Sequence, residues 1–167
     1  MSNANKIMAA AGGVVVFILL LFLIARRPNK PEAVIEAAGE ALRQGKIDEY
    51  FTYTTPLTID KVRDKERALM ERAQEAMKNT PEVAPKKPIV RTTIIKNDVA
   101  IVVMETEAMI GEKTYKHMHR QPAIKIDGEW LMAAHYWTTN KELYERVKED
   151  FKAADREAKE WIRDNKQ

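Results

Sequence analysis

The chain has 167 residues, with 28 basic and 25 acidic side chains, a net charge of +3 and no cysteine. Without cysteine there are no disulfides, no thiolate zinc sites and no lipidated-cysteine anchor. A surplus this small among mixed charges is not the one-sided basic field that nucleic acid requires, so no nucleic-acid partner is expected.

Residues 7–25 (IMAAAGGVVVFILLLFLIA) are uncharged and nearly all apolar. As a helix rising about 1.5 Å per residue they would span roughly 28 Å, close to the ~30 Å hydrocarbon core of a bilayer. Only Lys6 precedes the run and no A-x-A pattern follows it, which favours a retained single-pass anchor over a cleaved signal peptide. Arg26, Arg27 and Lys30 sit just after it, so the positive-inside rule places the main domain in the cytoplasm, with the periplasmic or extracellular side as the alternative. Ala9 and Gly13 form a small-xxx-small pair that would let a second membrane helix approach. Membrane lipid and other membrane-protein subunits are the expected partners, and a homo-oligomer is left open.

Residues 1–6 are a short tail and 26–30 a linker. A helix is expected over 31–44, with Asn29 as N-cap, Pro31 in the first turn and Gly45 as the stop. A short helix over 47–54 ends at Pro56. A longer one runs from a Thr58 cap to about residue 78, with Ile59, Val62, Leu69, Ala73 and Ala76 inward and Lys61, Arg63, Lys65, Glu66, Glu71 and Arg72 outward. Residues 79–88 hold three prolines and read as the crossover from helices to strands.

Four strands are expected next, over 89–96, 99–108, 114–126 and 129–138, with turns at Asn97-Asp98 and Asp127-Gly128. The second, containing VAIVVM, is apolar on both faces, as a centrally placed strand covered on both sides would be. Pro122 suggests a bulge or bend in the third. Residues 139–167 form a final helix, with Thr139 and Glu142 at capping-box spacing. Its seam, Tyr144, Val147, Phe151, Ala154, Ala158 and Trp161, follows a heptad rhythm. That seam either lies on its own domain or docks a partner, in which case Val147, Phe151, Ala154, Ala158 and Trp161 carry the contact.

This order of elements, with Gly45-Lys46-Ile47-Asp48 after the first helix and Asp127-Gly128-Glu129-Trp130 in the last hairpin, resembles the nuclear-transport-factor-two-like (cystatin-like cone) superfamily. Within it, the small bacterial membrane-anchored or lipoprotein domains are the nearest in character. The resemblance implies an α+β fold over 31–138, in which three helices pack on a bent four-stranded antiparallel sheet to form a cone with a pocket. It covers isomerases and dehydratases as well as non-enzymatic adaptors, and the helical tail departs from its short form.

Chemistry is sparse. His117 and His119 lie two apart on one strand and should share a face, with Glu105 or Glu107 as carboxylate company; strand histidines of this kind are commoner than ligands, and no metal site is assigned. His135 should lie near Arg120 across the last hairpin. Tyr50, Tyr53, His119 and Tyr136, with Asp48 and Trp137, are the side chains that could line a pocket. No nucleotide-loop, dinucleotide, zinc-hydrolase or serine-hydrolase signature is present, and no cofactor or catalytic residue is assigned. The expected function is therefore a non-catalytic, membrane-anchored accessory or scaffold subunit. The alternative is a small-ligand or isomerase-like pocket in the cone.

Overall fold

A computed structural model describes residues 28–79, 87–110 and 113–165; the backbone alone is described at 108–110 and 113. The apolar run 7–25 expected to be an anchor, with Ala9 and Gly13, lies outside the described residues. Among those described, no helix is long and apolar enough to cross a membrane.

Helix α1 spans Pro31–Arg43. Lys30, not Asn29, occupies its N-cap position, without a side-chain cap, and Pro31 begins the helix. At the far end Gly45 has φ +75°, Gly45 N donates to Leu42 O at 3.0 Å, and Lys46 N donates to Ala41 O at 2.9 Å. This is the left-handed stop that satisfies the last carbonyls. A Cβ on Gly45 would also lie 1.9 Å from the Gln74 side-chain amide, which would have to swing aside, so it is the positive φ that calls for glycine.

Helix α2 is Ile47–Thr52, and α3 is Asp60–Asn79. The third helix starts two residues after Thr58, with Val62 N and Arg63 N donating to Ile59 O. Its inner stripe also differs from expectation. Ile59 is 48% exposed, whereas Glu66 is completely buried.

The sheet is a four-stranded antiparallel meander in the order β1 (Ile89–Lys96), β2 (Val99–Ile110), β3 (Lys113–Ile126) and β4 (Glu129–Met132). Asp127 and Gly128 have φ +52° and +85°, the positive pair that a two-residue hairpin turn demands. Pro122 makes no bulge: it stays in register opposite Ile101. It lies where β4 ends, one step past the Ala123–Met132 pair, and its carbonyl accepts from Ala133 N at 2.9 Å. The irregularity falls in β1 instead, where the register shifts between Val90 and Thr92.

The last strand stops at Met132, six residues short of expectation. Beyond it the chain leaves the sheet, because Ala134 N donates to Thr55 Oγ1 at 3.1 Å and His135 N to Glu66 Oε1 at 3.0 Å. A 3₁₀ turn, Trp137–Thr139, leads into helix α4, Lys141–Asp164. Asn140, rather than Thr139, caps it, its Oδ1 accepting from Leu143 N at 3.2 Å.

The sheet is covered on both faces, and alternation along β2 divides the core. Ala100, Val102 and Met104 join Val34, Ile35 and Ala38 of α1, with Tyr50, Trp130 and Met132. Ile101 and Val103 join Ile94, Ile124 and Trp137 with Leu143, Val147, Ala154 and Ala158 of α4. The rings of Tyr144 and Phe151 pack on Trp137 at 5.6 and 5.2 Å between centroids. The heptad seam of α4 therefore lies on its own sheet.

Candidate functional site

The pocket candidates do not assemble into an open site. Tyr50 is buried in the α1-side core, and Tyr53 packs against that core, its hydroxyl 3.5 Å from Glu49 Oε1. Tyr136 stacks edge-on against exposed His135 at 4.7 Å, and His119 lies parallel to His117 at 6.5 Å, as two residues on one face of a strand should. No hydrogen bond or ring contact among the described residues joins His119 to Tyr50, Tyr53 or Tyr136. Asp48, in the first turn of α2, accepts from Arg67 at 2.6 Å.

Buried Trp130, Met132 and Tyr50 fill the α1 side of the sheet. A cleft of about 10 Å³, about one water in capacity, lies there beside Pro28, Val34 and Tyr53. His135 is not on a strand beside Arg120: it follows β4 in a turn, since β4 has ended three residues earlier.

Glu66, expected among the outward residues, is the main surprise of this face. Its Oε1 accepts from Tyr50 Oη at 3.4 Å and from His135 N at 3.0 Å, while Oε2 has no protein partner. Burial first, then the Glu66 charge and hydrogen bond, push the Tyr50 phenol well above its usual value. The pair is an acid and a phenol held together, yet sealed in. The spacing carries the signal, since positions 62, 66, 69 and 73 form one helical stripe.

The open concavity lies on the opposite face. A groove of about 990 Å³ runs between the C-terminal end of α4 and strands β1 to β3. Met118, Trp161 and Ile162 supply its apolar surface, and Arg91, Lys116, Arg120, Lys159 and Arg163 its cations; Glu105 is the one acid in the lining among the described residues. Glu105 is nearly buried. Its Oε2 accepts from Arg91 at 2.9 and 2.7 Å, and Oε1 lies 3.4 Å from Lys116 Nζ without hydrogen-bond alignment. The Arg91 hydrogen bond above all, opposed by burial and aided by Lys116, holds the Glu105 carboxyl below its usual range. Arg120 and Lys159 both reach Asp155 of α4, the latter at 2.8 Å, and Arg163 reaches Asp164 at 3.0 Å.

Every cation of the groove thus has an acidic neighbour, while its apolar strip has no cover among the described residues. Of the predicted helix-docking residues, Val147, Ala154 and Ala158 are buried against the sheet and Phe151 packs beside them. Among the described ones, only Trp161 reaches the groove. Glu105 sits on the opposite face from His117 and His119, because it pairs with Met118. No cluster of three metal-ligating side chains exists among the described residues.

No family model matches the chain, and no curated protein matches it. Solved structures similar to the chain include the following two. One is a SEC-C motif-containing protein from Rhodopseudomonas palustris, 19% identical, with a TM-score of 0.48 over 68% of this chain and 82% of that one. The other is an NTF-2-like protein of unknown function from Shewanella oneidensis, 18% identical, with a TM-score of 0.37 over 60% of this chain and 88% of that one. Neither likeness bears on activity.

Proposed function

We propose that this chain is a single-pass, membrane-anchored accessory or scaffold subunit of a membrane protein complex, built on a nuclear-transport-factor-two-like cone. Residues 7–25 are its anchor, with Ala9 and Gly13 as the face offered to a neighbouring helix. The groove at the end of α4 receives a segment of the partner subunit. The main domain lies on the cytoplasmic side, following the basic residues that flank the run.

One observation carries this reading. The α1 face of the sheet is filled with side chains, whereas the groove beside Trp161 is large, part apolar and rimmed with charge. A small-molecule site wants an enclosed apolar cavity with a few convergent polar groups, which the α1 face does not offer; a protein segment suits a shallow amphipathic groove. The seam of α4 serves its own sheet, so docking falls to the helix end and not to its length.

The test is co-purification of the full chain from membranes, comparing the natural protein with Trp161→Ala. Trp161 is only partly buried, so the variant should keep its fold by circular dichroism. It should lose a membrane subunit that the natural chain retains. An unchanged set of partners from a folded variant would overturn the docking role of the groove. A reporter fused after Gln167 and active on one side only tests the compartment.

A further inference from the structure

The two edges of the sheet are treated differently. On the β4 side the chain closes its own edge: Met132 N donates to Tyr53 O at 2.8 Å, Thr55 N to Met132 O at 2.9 Å, and Thr54 bridges Met132. On the β1 side eight residues, IVRTTIIK, end the sheet with no strand beyond them among the described residues. Three of the five large exposed hydrophobic residues among those described lie on this strand: Ile89 (49%), Val90 (43%) and Ile95 (51%). Edge strands are ordinarily blunted by charged side chains that repel a second strand. Here the two charges on the strand are neutralised within the chain, Arg91 by Glu105 and Lys96 by Glu157.

We infer that β1 pairs with β1 of a second copy, antiparallel, making one continuous eight-stranded sheet. The strand is complementary to itself in one register. Thr93 and Ile95 oppose Val102 and Ala100 across the β1–β2 ladder, so they share the α1 face. The extra residue at Arg91 returns Val90, opposite Met104, to that same face. A two-fold axis at Thr93 sets Thr93 against its own copy and Thr92 against Ile94. Past the extra residue it sets exposed Ile95 against exposed Val90. Without the bulge, Val90 and Ile95 would lie on opposite faces and could not meet.

Such an axis stands perpendicular to the sheet, so corresponding faces of both copies look the same way. Pro28, beside Val34, Tyr53 and Trp130, then emerges on one side of the joint sheet in both copies. Two chains anchored in one bilayer need that arrangement. The groove stays open, and the inference does not depend on its docking role.

The absence of cysteine makes the test direct, because Thr93→Cys carries the only thiol in the full chain. Facing residues of an antiparallel pair lie about 4.5–5.5 Å apart at Cα, within the ~4.4–6.8 Å that a disulfide spans. In detergent with mild oxidant, Thr93→Cys should form a covalent dimer. Lys141→Cys, exposed at the start of α4, should stay monomeric. Adding Ile95→Lys to Thr93→Cys should abolish the cross-link while circular dichroism stays unchanged. A monomeric Thr93→Cys protein, equal linking from Lys141→Cys, or a cross-link that survives Ile95→Lys would each overturn the inference. So would linkage of the Thr93→Cys thiol to a different protein, which would assign the edge to a foreign strand.

Discussion

Glu66 and Glu105 are both carboxylates with almost no exposed surface, and they sit on opposite faces of one sheet. Glu66 meets only neutral donors, a phenol and a backbone N–H, and side chains close over it. Glu105 meets two cations and lines an open groove of about 990 Å³. Burial of an acid therefore does not by itself mark a site. Its partners and its access to solvent decide whether it clamps the chain or serves a surface.

The comparison predicts its largest effect at Glu66. Truncation by Glu66→Ala leaves Tyr50 Oη and His135 N without their acceptor and opens a void in the helix–sheet layer. An unsatisfied buried donor costs about 1–3 kcal/mol, so a loss of about 3 kcal/mol is expected in urea unfolding of the full chain. Glu66→Gln keeps an acceptor at that position and should stay within about 1 kcal/mol of the natural protein. Equal losses for the two variants would mean that the negative charge, and not the acceptor, ties β4's exit to α3.

The groove side responds to acid instead. The folded-state value of Glu105 lies below the usual 4.5, so the folded chain binds fewer protons at this carboxyl than the unfolded one. Its contribution to stability is complete above about pH 4.5 and is lost as pH falls through the lower folded value. Arg91→Ala removes the main cause of that depression. Urea midpoints followed from about pH 6 down to about pH 3 should fall less steeply for Arg91→Ala than for the natural chain. Parallel curves would show that the Arg91 hydrogen bond is not what lowers the Glu105 carboxyl.

These two acids also show what is legible in a sequence and what is not. The doubly buried β2 is legible because Val99 to Met104 is apolar at every position, and the α4 seam because its spacing repeats. Glu66 escapes a reading that weighs its charge above its place in the 62–66–69–73 stripe. The early end of β4 is hidden for a different reason. Leu131 to Thr138 reads as strand locally, but Thr55 and Glu66, far away in sequence, draw its backbone out of the sheet. Likewise, the groove draws Arg91, Glu105, Met118 and Trp161 from three strands and a helix end. No local pattern brings them together.

The smallest effect falls on His119, which shares the α1 face with Met104 but lies toward the open end of β3. Burial first, and the neighbouring His117 second, hold its imidazole below the usual 6.5. The unfolded chain therefore takes up the proton first as pH falls, and stability declines between 6.5 and the lower folded value. His119→Gln should flatten that part of the profile and leave the region above about pH 7 unchanged. Imidazole resonances followed by NMR test the cause directly, since a His119 midpoint above 6.5 would require a nearby carboxylate and not burial. In that case the α1 face would hold a charged cluster at its open end, and the contrast between a sealed face and an open one would have to be redrawn along β3 instead of across the sheet.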